Sequence, residues 1–143
     1  MNLPMRLALT FSAALLLSGC FIEAATYPID DDTDHGITVR VDKDTFWAKE
    51  GTLRVIISRL PECQRQFELG SVWLDGLQVD LFGNGNHVYT LRADDQAWQI
   101  DTTGCTELDA PDADAVTGQP LGVFALGEDD KLRFEKPEPA PEE

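Results

Sequence analysis

Basic side chains are scarce in this sequence: 11 lysines and arginines stand against 26 aspartates and glutamates, for a formal net charge of −15. That balance excludes nucleic acid as a partner, because a protein that binds it must replace counterions with its own cations. Histidine is scarcer still, and His35 and His87 are the two imidazoles of the chain. No Gly-x-Ser-x-Gly, His-Glu-x-x-His or Gly-x-x-x-x-Gly-Lys run occurs, so the common signatures of serine hydrolases, zinc proteases and phosphate-binding loops are missing. Gly83-Asn84-Gly85 opens a dinucleotide fingerprint, but Val88 holds the place of its third glycine. No cofactor is implied. Beyond the N-terminal twenty residues no apolar run approaches the roughly 20 needed to cross a bilayer as a helix.

What the sequence does have begins at its N-terminus. Arg6 is the one charge of the opening segment and Leu7 to Leu17 runs apolar, which is the plan of an export signal. The run is about half of what a permanent span requires. Directly behind it stands Leu17-Ser18-Gly19-Cys20. This tetrad resembles the lipobox of bacterial lipoproteins: an aliphatic residue, two small ones, then the cysteine. The resemblance implies that residues 1–19 are a signal peptide, that Cys20 receives a diacylglycerol on its thiol, and that its new amino group is acylated. Two chains already hold a protein stably, since each buried methylene adds about 0.8 kcal/mol. Phe21 rather than Asp follows the cysteine, which in the enteric lipoproteins that this resembles implies delivery to the outer membrane. The alternative is an ordinary secretory signal cut near Ala24-Ala25, which would discard Cys20 and set Glu23 where a small residue is wanted.

Loss of residues 1–19 would remove Arg6 alone among the charged residues, leaving 11 − 1 = 10 basic and 26 acidic side chains, a net of −16. Such a domain favours a cationic partner or a divalent ion, or is simply kept soluble by its charge. Anionic headgroups would repel it. With Cys20 lipidated, Cys63 and Cys105 remain, an even pair in a compartment that permits disulfides. Bonded, they would close a loop of about 43 residues, which chain entropy values at roughly 4 kcal/mol. A metal held by these cysteines with His87 is the alternative, but no Cys-x-x-Cys or His-x-x-x-His spacing accompanies them.

Residues 20–35 read as an acidic tether ending in Asp30-Asp31-Asp32-Thr33-Asp34-His35, with a reach of about 40 to 50 Å when extended. Asp30, Asp32 and Asp34 alternate as a calcium loop opens, but Gly36 falls one place late and no closing Glu follows. Residues 136–143 form a Pro- and Glu-rich tail expected to be disordered. Between these ends, residues 36–135 form a single all-β domain.

The strand signal is alternation. Ile37, Val39 and Val41 make one apolar row, Leu53, Val55 and Ile57 another; Leu121–Leu126 suits a buried strand, and Leu132 with Phe134 ends the domain. Residues 44–50 and 61–68 are ambiguous and admit a helical turn. Asp75-Gly76 is a hairpin signal that would pair Leu74 with Leu77 and Val72 with Val79. Asp94-Asp95 would pair Leu91 with Trp98 and Tyr89 with Ile100. Joined through Gly83-Asn84-Gly85-Asn86 with a one-residue bulge, the two hairpins predict a four-strand meander. Its dry face is Val72, Leu74, Leu77, Val79, Leu81, Tyr89, Leu91, Trp98 and Ile100. A dry face needs a cover, so a two-sheet antiparallel sandwich follows, with a small β-barrel as the alternative. Likeness to an immunoglobulin sandwich is loose: Cys63, Trp73 and Cys105 occur in order, but Trp73 falls on the wet face and no tyrosine stands two before Cys105.

The same register leaves Trp73, Phe82 and Val88 as apolar residues on the wet face, a platform for a sugar ring or a protein. The sequence therefore points to a non-enzymatic binding or structural module, anchored in the envelope, whose partner would be a cationic protein or an envelope glycan. The alternative is a periplasmic glycan hydrolase working with two carboxylates, a chemistry that so acidic a chain could assemble.

Overall fold

The computed structural model describes residues 21–138. They form two antiparallel sheets of ten strands: β1 Phe21–Pro28, β2 His35–Lys43, β3 Glu50–Arg59, β4 Cys63–Trp73, β5 Gln78–Gly85, β6 Val88–Ala93, β7 Gln96–Asp101, β8 Thr106–Leu108, β9 Gln119–Leu126 and β10 Leu132–Glu135. The first sheet runs β1-β2-β3-β4 and the second β10-β9-β5-β6-β7-β8. They pack face to face as a sandwich and do not close into a barrel.

Alternation builds both inner faces. From the first sheet Ile37, Val39, Val41, Leu53, Val55 and Ile57 are wholly buried; from the second come Val79, Leu81, Leu91, Ile100 and Phe124. The hairpin register read from turn chemistry is present: Leu91 faces Trp98, Tyr89 faces Ile100, and a register shift stands between Gly83 and Gly85. The β5–β6 turn sits on Asn86 and His87, both at positive φ (52° and 65°), the twist that a two-residue hairpin needs.

Three expectations are corrected. Asp75-Gly76 does reverse the chain, and the Leu77 amide donates to the Leu74 carbonyl at 3.2 Å. It is not a hairpin, however, because β4 pairs with β3 and β5 pairs with β6 and β9. The turn is the corner where the chain leaves one sheet for the other, and Leu74 and Leu77 fill it. Three of the four strands expected in the meander, β5-β6-β7, are consecutive neighbours and β8 continues them, while β4 lies in the facing sheet. Second, the ambiguous residues 61–68 are not a helical turn: all but the first two belong to β4. This is an edge strand that keeps Gln64, Arg65, Gln66 and Glu68 exposed, so it shows little apolar alternation. Residues 44–49 are the β2–β3 loop.

The third correction concerns the tether. Phe21–Pro28 pairs along its whole length with β2, from Phe21 opposite Lys43 to Pro28 opposite Gly36. Its inward side chains are Phe21, Glu23, Ala25 and Tyr27. Glu23 among them disguises the period, yet it is satisfied: one carboxylate oxygen accepts from Lys131 Nζ at 3.0 Å and the other from the Leu132 amide at 3.3 Å. Tyr27 stacks on Phe134 at 5.2 Å and on Tyr89 at 6.3 Å between ring centres. So β1 bridges the edge of its own sheet to β10 of the other. Beyond it, Ile29–Asp31 makes one 3-10 turn with Asp30 and Asp31 at positive φ, and β2 begins at His35.

The opposite side is joined covalently. Cys63 at the start of β4 and Cys105 in the β7–β8 turn form a disulfide with 6.1 Å between their Cα atoms. Farther along β4, Trp98 Nε1 donates to the Leu69 carbonyl at 3.1 Å.

Replacing Tyr27 by Ala should lower unfolding stability by about 2 kcal/mol in urea titrations, through loss of a half-buried ring and its aromatic contacts. A change under about 0.5 kcal/mol, the ordinary cost at a solvated tether, would mean that β1 does not hold the sandwich.

Candidate functional site

The three residues expected on one face are divided by the sheet-changing corner. Trp73 ends β4 in the first sheet, opposite Glu50, and is 48% exposed. Phe82 and Val88 stay on the outer face of the second sheet, and both are half-buried. The Arg92 guanidinium lies 4.9 Å above the Phe82 ring and is itself tied to Asp80 at 2.8 Å. Phe82 is thus a floor for an ion pair rather than an open platform.

The outer face of the second sheet is also less wet than its sequence implies. Thr90 is completely buried. Its hydroxyl donates to Asn84 Oδ1 at 2.7 Å and accepts from Gln99 Nε2 at 3.2 Å, while Asn84 Nδ2 donates to the Thr117 carbonyl at 2.9 Å. The connection from β8 to β9 crosses this face to reach the other side of the sheet, and Asn84 pins it there. Pro111, Asp112, Ala113 and Asp114 of that connection face Arg92, Asp94, Asp95 and Ala97 across an open groove.

The ends of the sandwich differ in character. At the end where β2 begins, His35, Arg59, Ser58, His87, Thr102 and Asp30 line a cleft of about 210 Å³. The two imidazoles, far apart in sequence, meet there because the start of β2 and the β5–β6 turn lie at the same end. His35 Nδ1 is 3.5 Å from Asp32. Burial raises the Tyr27 hydroxyl above its ordinary pKa, and the charges of Asp30 and Asp31 add to the rise. Tyr89 is raised in the same direction, by burial first and then by Tyr27 and Asp30. Asp30, Asp31, Asp32 and Asp34 make this the acidic end. Among the described residues no three His, Cys, Asp or Glu side chains gather as metal ligands.

At the other end stand Phe21, the β2–β3 loop and Trp73. Phe46 and Trp47 of that loop are 68% and 65% exposed and meet edge to face at 4.7 Å. The sequence marked neither. The signal available was two adjacent aromatics in a short connection between strongly alternating strands, where neither sheet has a place for them.

Half-buried carboxylates elsewhere are tied to cations. Asp42 is held by Arg54, which also lies 3.7 Å from Glu68; Asp80 is held by Arg92 and Glu23 by Lys131. In the β9–β10 turn, hydrogen bonds from Arg133 hold the Asp129 carboxyl down to about 2. These pairs clamp strands and turns, whereas Asp94 and Asp95 face Asp112 and Asp114 across the open groove under the β8–β9 connection.

No protein-family model matches the chain, and no curated protein or solved structure matches it.

Trp73→Ala should leave stability within about 1 kcal/mol of the parent, because the ring is half in solvent and fills no core position. A loss of several kcal/mol on thermal unfolding would mean that Trp73 belongs to the core and is unavailable to a ligand.

Proposed function

We propose that the chain is a lipid-anchored protein of the bacterial cell envelope, held through Cys20 in the outer membrane, whose domain works by binding rather than by catalysis. Cys20 lies outside the described residues, and the observation that carries the reading is the Leu17-Ser18-Gly19-Cys20 tetrad behind an eleven-residue apolar run from Leu7 to Leu17. The disulfide supports it in two ways. Cys63 and Cys105 are consumed by each other, so Cys20 is left as the odd thiol, and a stable disulfide suits an oxidising compartment.

For the domain, the acidic end and the net charge favour a cationic protein, with an envelope glycan as the other ligand class. An inhibitor of a cationic cell-wall hydrolase is one concrete form. Binding is favoured over glycan hydrolysis because that chemistry works with a carboxyl group shielded from water. The half-buried Glu23, Asp42 and Asp80 are each engaged by a lysine or arginine. Asp94, Asp95, Asp112 and Asp114, which face one another across an open groove, are exposed.

Cys20→Ser should move the protein from the membrane fraction to the soluble fraction, and intact mass of the parent should show a diacylglyceryl cysteine at the N-terminus. An unmodified Cys20 within an uncut N-terminal peptide would overturn the anchor. Crosslinking in the native envelope followed by affinity capture identifies the partner of the domain.

A further inference from the structure

We propose that the end of the sandwich where β1 begins is a membrane-seating surface, with Phe46, Trp47 and Trp73 entering the lipid–water interface of the leaflet that holds Cys20. The proposal rests on the lipid-anchor reading and adds to it where and how the domain sits.

The anchor is covalently next to this end. Consecutive Cα atoms are about 3.8 Å apart, so Cys20 is one peptide bond from Phe21. Phe21 is already paired with Lys43 in the sheet, which leaves no slack between anchor and domain. Whichever side chains surround Phe21 are therefore carried to the headgroups.

Aromatic side chains surround Phe21 at this end. Lys43 Nζ lies 4.6 Å over the Phe21 ring and donates to the Phe46 carbonyl at 3.0 Å, tying the β2–β3 loop to the start of β1. That loop projects Phe46 and Trp47, and the Leu74 amide donates to the Lys49 carbonyl at 2.9 Å, which brings Trp73 to the same end. Of the six large apolar side chains exposed among the described residues, Ile22, Phe46, Trp47 and Trp73 lie here. Exposed apolar side chains gathered in this way mark a docking surface. Aromatic rings with lysines beside them suit the interface in particular, where the ring meets the acyl boundary and the ammonium reaches phosphate.

Charge sets the kind of lipid. Lys43 and Lys49 are offset by Asp44 and Glu50 beside them, and Asp75, Glu128 and Asp130 line one cleft with Trp73 and the two lysines, so the surface fits zwitterionic rather than anionic headgroups. The aspartates at residues 30–34 lie at the far end of β2. At about 3.3 Å per residue they stand roughly 25 Å away, well beyond the ~8 Å over which salt leaves a charge unscreened. Those four aspartates are thus no barrier to seating this end.

The test uses the lipidated protein reconstituted into phosphatidylcholine vesicles with brominated acyl chains, which quench tryptophan on contact. Trp98 is buried between the sheets and serves as the unquenched background. The expected result is a loss of emission relative to unbrominated vesicles. In a Phe46→Ser/Trp47→Ser double variant that loss should shrink while the protein still floats with the vesicles. Vesicle-bound, lipidated protein with unchanged emission would overturn the seating and leave the anchor standing. Protein that neither floats nor carries lipid on Cys20 would overturn the anchor and the seating with it.

Discussion

A β-sandwich is held by two dry faces, but its edges decide whether those faces stay together, because an unsealed edge admits water to the core and offers unpaired amides to other chains. Here one side is sealed by β1 and the other by a covalent bond. On the first side the buried end of Glu23 receives Lys131 and the Leu132 amide while Tyr27 lies on Phe134, so a polar contact and an aromatic contact act together across the gap. On the second side the Cys63–Cys105 bridge and the Trp98 indole hold β4 to the facing sheet. Gly122 shows how closely β9 and β10 pack within the second sheet: a Cβ there would clash with the Glu135 carbonyl oxygen.

Much of this was legible in the sequence wherever the signal is local. The rows Ile37-Val39-Val41 and Leu53-Val55-Ile57, the Asp94-Asp95 hairpin and the bulge between Gly83 and Gly85 follow from period and turn chemistry alone. The cysteine pair followed from counting. What was not legible is which sheet a strand joins. Asp75-Gly76 specifies a reversal of direction, and a reversal can stay within a sheet or cross between two; only the competition of β3 and β9 for β4 and β5 decides it. That one choice separated Trp73 from Phe82 and Val88. β1 escaped notice because Glu23 occupies an inward position and its partners, Lys131 and Leu132, lie more than a hundred residues away.

Sealing by β1 has a mechanical consequence. A domain on a tether samples orientations freely, whereas a domain whose first residue is already hydrogen-bonded into a sheet presents fixed ends. One end carries Phe46, Trp47 and Trp73, the other the aspartates at residues 30–34 with His35 and His87. On the proposed reading the strands themselves are the spacer, and they hold the acidic end outward, away from the headgroups and toward a cationic partner.

The account therefore turns on β1 being part of the folded domain in the native protein. Amide hydrogen exchange measures this directly. The account predicts that the β1 amides bonded to β2 are protected to the same order as those of β2 and β3. Exchange of residues 21–28 at the rate of an unfolded chain, with β2 and β3 still protected, would contradict it.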